Sequence, residues 1–141
     1  MLLWACSSAR AGFPCLSGSV NTGPSNSPWL LLVDDEAALA QLLKKYLERL
    51  GYQVDACTHP EAALDLIDAN PGRYALLVTD LTLPAMDGEQ LLERLRERAP
   101  ALRAIIASGY PYEPRAAGVE FLQKPFLPKM LAEAIERMLR S

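Results

Sequence analysis

Asp80 ends the apolar run Tyr74-Ala75-Leu76-Leu77-Val78-Thr79 and opens the phrase Leu81-Thr82-Leu83-Pro84-Ala85-Met86-Asp87-Gly88. An apolar run of this length followed by proline and glycine reads as a buried strand feeding a loop. The carboxylate is therefore set at the rim of a sheet. A second run, Trp29-Leu30-Leu31-Leu32-Val33, ends the same way in Asp34-Asp35-Glu36. Two strands that each end in acid point to one acidic pocket, and an acidic pocket points to a divalent cation.

The elements that must position these groups alternate between strand and helix from Trp29 onward. Strand one is expected at about 29–34 and strand two at about 52–57. Strand three is expected at about 74–79, strand four at about 102–107 and strand five at about 119–122. Between the first two, Leu39, Leu42, Leu43, Tyr46, Leu47 and Leu50 repeat at helical spacing, with Gly51 as the stop. A second helix starts near Thr58-His59-Pro60-Glu61, where proline suits a first turn. Leu91, Leu92 and Leu95 mark a third, and Met130, Leu131, Ala134, Ile135, Met138 and Leu139 mark the last. Strands one, three and four are continuously rather than alternately apolar, which predicts a parallel sheet covered on both faces. The fold class is α/β, an open doubly wound five-stranded sheet, whose sites sit at the carboxyl ends of the strands. Asp34, Asp35, Asp80 and Ser108 all fall there.

At 141 residues, half of them hydrophobic and 22% charged, the chain has room for one domain with a real core. A formal charge of −3 and the lack of a basic stripe argue against nucleic acid as a partner. Cys6, Cys15 and Cys57 are odd in number and lack metal-ligand spacing, which reads as buried or incidental thiols in a reducing, cytoplasmic compartment. No stretch has the length of a membrane-spanning helix, and the apolar start at Met1–Cys6 is too short for a signal segment. Residues 1–28 are rich in Ser, Gly and Pro with Arg10 the only charge, and are expected to be a disordered leader or linker to a domain at 29–141.

Taken together, Asp34-Asp35-Glu36, Asp80, Ser108-Gly109 and Lys124-Pro125-Phe126, each after its strand, resemble the signature of a response-regulator receiver domain over residues 29–140. The resemblance implies a receiver fold with strand order 2-1-3-4-5 and a phosphoacceptor role for Asp80. It implies that Asp34, Asp35, Asp80 and the backbone carbonyl of Thr82 hold Mg²⁺ or Mn²⁺. Lys124 then pairs with the acceptor and its phosphoryl group, Ser108 bonds a phosphoryl oxygen, and Phe121 is the aromatic that follows the Ser108 loop. Thr82 and Tyr110 tune phosphoryl lifetime, and the Lys124-Pro125 bond is cis. The implied partners are a histidine kinase or a histidine phosphotransfer protein, with an unknown protein downstream. Glu36 and Asp87 read instead as helix-start charges, and His59 as a cap or surface residue.

In one place the chain departs from most of that family. The segment between strands four and five contains Pro111 and Pro114 and is too short for a full crossover helix. The fourth helix is expected to be short or absent, about one turn near Arg115–Ala117 at most. Having little to bury, the segment is expected to be the most mobile part of the domain and to gain order on phosphorylation. The chain ends at Ser141 after its last helix, so it reads as a stand-alone receiver or the terminal receiver of a hybrid kinase, with no DNA-binding element of its own. It is not expected to act as an enzyme beyond phosphotransfer to its own Asp80 and slow autodephosphorylation. A degenerate receiver that serves only as an interaction module is the alternative. A haloacid-dehalogenase-type phosphatase would want an aspartate where Thr82 stands, and a dinucleotide site would want a Gly-rich loop after strand one.

Overall fold

Residues 28–140 are described by a computed structural model of the chain. Apart from Pro28, the leader expected at 1–28 lies outside the described residues, as do Cys6 and Cys15. The apolar runs form β1 (Trp29–Val33), β3 (Tyr74–Asp80) and β4 (Arg103–Ser108). The half-buried flanking strands are β2 (Gln53–Cys57) and β5 (Val119–Gln123). All pair in parallel in the order β2-β1-β3-β4-β5. The sheet is wound outward from β1 in both directions, as the continuous hydrophobicity of its central strands predicts.

Helices cover both faces. α1 (Ala37–Arg49) and α4 (Pro128–Arg140) pack on one side, where Leu43, Leu47, Leu131 and Ile135 meet Leu30, Leu32, Leu76, Val78 and Ile105. α2 (Pro60–Ala69) and α3 (Gly88–Arg96) pack on the other, where Ala63, Ile67, Leu91 and Leu95 meet Leu31, Val33, Leu77 and Ala104. Alternate residues of each strand therefore feed the two cores, which is why the strands read as unbroken apolar runs.

Local sequence sets the helix starts. α2 begins with Pro60 in its first turn, after His59 in extended backbone at the N-cap. α3 opens with a full capping box, in which the Asp87 carboxylate accepts from the Gln90 amide N–H and the Gln90 side chain accepts from the Asp87 N–H. Asp87 is thus a helix-start charge, as expected. Gly88 allows α3 to approach β3: a Cβ there would lie 2.5 Å from the Asp80 carbonyl oxygen.

Between β4 and β5 the chain crosses without a helix. Residues 109–118 form open loop and a single turn ending at Gly118, in agreement with the shortened segment. The segment is nevertheless anchored. Arg115 donates to the Glu89 carboxylate of α3 from its backbone N–H, Nε and Nη2, and the Arg96 guanidinium donates to the Ala117 carbonyl at 2.8 Å. Nothing in the spacing of residues announced these ties, and they work against the mobility expected of the loop.

Ala85, in the loop after β3, has φ = 74°, a left-handed conformation in which its Cβ is strained. Ala85→Gly should relieve that strain and stabilise the protein by about 1 kcal/mol, a rise of roughly 3–6 °C in Tm. Thermal denaturation by circular dichroism measures it. An unchanged or lower Tm would mean that the loop tolerates this backbone without cost.

Candidate functional site

The site lies where β1, β3, β4 and β5 end on the same side of the sheet. Register brings those ends level: Val33 stands beside Thr79, Asp80 beside Ala107 and Ser108 beside Gln123. Beyond Val33 the Asp34 N–H donates to the Cys57 carbonyl, so β1 keeps its path alongside β2 for one more residue. Asp34 then turns the chain, its Oδ1 accepting from the Glu36 N–H at 2.9 Å. Glu36 occupies the N-cap of α1 without a side-chain cap bond and faces the cleft.

Asp34 and Asp80 are almost fully buried, while Asp35 is exposed. One carboxylate oxygen from each of the three lies within 4.8 Å of the others. This cluster of hard oxygen donors, open to solvent through Asp35, fits a cation that keeps several of its waters. Thr82 is exposed on the same rim, where it forms an isolated bridge with Asp87.

Lys124 closes the site from the other side. Its backbone N–H donates to the Ser108 carbonyl at 2.8 Å, its bond to Pro125 is cis, and its Nζ lies 2.7 Å from Asp80 Oδ1. The Ser108 hydroxyl, buried at the end of β4, accepts from the Tyr110 N–H at 3.0 Å. Together Asp35, Asp80, Thr82, Ser108, Tyr110 and Lys124 line an open cleft of about 360 Å³.

Charge is finely opposed in this cleft. Burial pushes the Asp80 carboxyl up to about 7; the Lys124 hydrogen bond pulls it down, and the Asp34 charge raises it further. Burial works against the Lys124 ammonium, but Asp80, with Asp34 and Glu36 behind it, outweighs burial and raises its pKa. One ammonium thus faces several carboxylates, and negative charge is in excess in the cleft.

Phe121 alone among the expected site residues stands away from the cleft. It sits mid-strand beside Ile106, and its ring meets Tyr112 of the crossover edge-on, centroids 5.9 Å apart. Four residues near the site escaped the sequence reading. Gln123 donates to the Gly109 carbonyl and so steadies the Ser108 loop, while Glu89, Tyr112 and Arg115 join α3 to the crossover. The Arg115 bond lowers the Glu89 pKa, with Tyr112 adding to it, and burial followed by Glu89 raises that of the Tyr112 phenol. Tyr112 had one sequence signal, an aromatic between two prolines. His59 is exposed and far in role from the site, 3.9 Å from Glu61, and burial raises the free Cys57 thiol to about 12, which makes it inert.

This fold and this cleft define a class, and comparison with known proteins names it. The family model of the response regulator receiver domain matches residues 30–136. The chain is 35% identical over 124 residues to the sensor kinase CckA of Brucella abortus, covering 84% of this chain and 13% of that protein. It is 32% identical over 116 residues to the transcriptional regulatory protein SrrA of Staphylococcus aureus, covering 79% of this chain and 47% of that one. The chain thus spans less than half the length of either relative. Among solved structures, the receiver domain of the hybrid histidine kinase CckA superposes with a TM-score of 0.72 at 33% identity, covering 79% of this chain and 98% of that one. A CheY-like receiver domain protein from Methanospirillum hungatei JF-1 gives 0.73 at 29% identity, with 82% and 95% covered. The chain belongs to the response-regulator receiver family of two-component signalling. No helix among the described residues is long and apolar enough to cross a membrane.

The position of Asp80 has a measurable consequence for stability. Its folded pKa, about 7, lies above the unfolded value, so its favourable contribution is complete below about pH 4 and is lost as pH rises through 7. In metal-free buffer, Asp80→Asn should therefore stabilise the protein at pH 8 relative to its effect at pH 4. Discounted for solvent screening, the difference is on the order of 1–2 kcal/mol. Urea denaturation of both proteins across this range measures it. A difference that does not change with pH would show that Asp80 titrates as an ordinary surface carboxyl.

Proposed function

We propose that this chain is a phosphoacceptor receiver of a two-component or phosphorelay pathway, and that Asp80 takes the phosphoryl group. The observation that carries the reading is the buried Asp80 carboxylate, bonded to Lys124 and crowded by Asp34 and Asp35 at the mouth of the cleft. An Asp80 carboxylate oxygen attacks phosphorus as the donor's phosphorus–nitrogen bond to histidine breaks, or the phosphorus–oxygen bond of a small acyl phosphate. Lys124 keeps the acceptor in place before transfer and then balances the charge of the transferred group. The Ser108 hydroxyl still has its proton to donate to a phosphoryl oxygen, and Phe121 follows the movement of that loop.

Mg²⁺ or Mn²⁺, held by the carboxylates of Asp34, Asp35 and Asp80 and the Thr82 carbonyl, supplies the positive charge that phosphoryl transfer needs. Thr82 and Tyr110, on the cleft rim, control the access of water to the acyl phosphate. The donor is a histidine kinase or a histidine phosphotransfer protein. Leu42 of α1, Leu127 just before α4 and Met130 in its first turn are exposed apolar side chains. They offer the donor an apolar surface beside the cleft. The chain is consumed as the acceptor rather than turning over a substrate. It works in the cytoplasm, as the reducing compartment read from its cysteines implies.

Acetyl phosphate with Mg²⁺ should add one phosphoryl group, labile to hydroxylamine, and Asp80→Ala should abolish the addition. Intact mass spectrometry reads the result. Undiminished labelling of the variant would overturn the assignment, and a parent protein that takes no label would favour a receiver that acts only as an interaction module.

The acidic cluster makes a second prediction. Cation binding must displace the Asp80 proton, so Mg²⁺ affinity should fall by about tenfold per pH unit below the Asp80 pKa. Asp35→Ala should lose binding and labelling together, whereas Lys124→Ala should keep Mg²⁺ and lose the conformational response. Calorimetric titration tests both, and parent-like Mg²⁺ binding by Asp35→Ala would refute the ligand set.

A further inference from the structure

Three features of the crossover converge on α3. The Glu89 side chain is 13% exposed and takes the Arg115 guanidinium at 2.7 Å, though Arg115 itself is 84% exposed. The Arg115 backbone N–H adds a third bond to the same carboxylate, which fixes main chain as well as side chain. Tyr112, three residues earlier, sets its ring edge-on against Phe121, and its buried hydroxyl sits near the Glu89 carboxylate without a hydrogen bond to it. Phe121 pairs with Ile106, and strand alternation sets it on the same sheet face as Val119 and Ser108, the face that α3 covers. A crossover helix would normally shield that face. Here the Tyr112 ring does so, held down through Glu89 and Arg115.

The same loop is coupled to the site at its other end. The Tyr110 N–H donates to the Ser108 hydroxyl, so a movement of Ser108 toward a phosphoryl group carries Tyr110 with it and pulls on Tyr112 two residues on. Glu89 is in turn tied to the acceptor loop. It lies in the first turn of α3, where Gly88 donates to the Leu81 carbonyl at 2.7 Å. We propose that Glu89, Tyr112 and Arg115 form a clasp that replaces the missing helix and holds the crossover in its resting position, so that phosphorylation of Asp80 must open it. The proposal rests on the phosphoacceptor reading above. It makes Glu89 and Arg115 positioning residues that set the readiness of the receiver to accept a phosphoryl group, without touching that group. A switch of this kind releases a formed contact, whereas a loop disordered at rest would gain one.

The test measures labelling rates with acetyl phosphate and Mg²⁺. Arg115→Ala removes an exposed side chain, and Glu89→Gln removes charge while keeping size; circular dichroism checks that both remain folded. Each should be labelled faster than the parent by about twofold to fivefold, the population that an ion pair of this exposure can hold back. Arg115→Lys, which keeps the charge but loses the fork, should lie between. Hydrogen exchange across residues 110–118 should rise in Arg115→Ala without any phosphodonor. A parent that takes label while Arg115→Ala takes it at the same or a lower rate overturns the clasp and leaves the Asp80 assignment standing. A parent that takes no label overturns both. Equal rates for Arg115→Lys and Arg115→Ala, or unchanged exchange, also overturn the clasp, since the ion pair would then hold nothing.

Discussion

The bond between Asp80 and Lys124 links the two halves of the site across the sheet. Asp80 arrives on a central strand and Lys124 after an edge strand, and neither position makes sense without the other. A carboxylate 7% exposed, beside a second that is 3% exposed, would be expelled or neutralised if it stood alone. The Lys124 ammonium at 2.7 Å opposes that without cancelling it, and β5 is placed to deliver it because β4 lies between β3 and β5 with Ser108 level with Gln123. Strand order thus has an electrostatic consequence. In the order β2-β1-β3-β4-β5, acids end the two central strands β1 and β3, and the base follows the far edge strand.

The pair is also deliberately incomplete. One ammonium faces three carboxylates, which leaves the cleft with negative charge in excess and the Asp80 carboxyl raised toward neutrality. On the proposed phosphoacceptor reading, such a balance suits a residue that receives a dianionic group together with a cation. Removing Lys124 would deepen the negative excess, whereas a second base in the cleft would offset it and weaken the attraction for a cation.

Much of this was legible in the residues. The continuous apolar runs gave away a two-faced parallel sheet, and the strand-end position of Asp34, Asp35, Asp80 and Ser108 followed from it. Lys124 needed the family resemblance, because a lysine after an edge strand is otherwise a surface residue. What escaped was contact between segments distant in sequence. Glu89 reads as an acid suited to a helix N-terminus and Arg115 as loop charge, and no periodicity links positions 26 apart. From its length and prolines the loop was read as holding at most about one helical turn, and it holds none, but its contacts depend on where α3 lies, which local pattern does not encode. Phe121 shows the same limit. Its strand was evident, and its partner Tyr112 was not.

Loss of a helix changes how a receiver can switch. A crossover helix buries an apolar face, and moving it means sliding one packed surface over another. Here the contacts that hold the crossover are few, largely polar and partly in water: an ion pair, a guanidinium on a carbonyl and one aromatic edge. Each is weak, and contacts of this kind open at lower free-energy cost than a packed helix. On the proposed switch, the arrangement replaces a packed crossover helix with a loop tied to the Ser108 hydroxyl at one end and to α3 at the other. If the clasp opens as proposed, a partner would meet α3 together with Tyr112 and the ring of Phe121, which pack against each other in this structure.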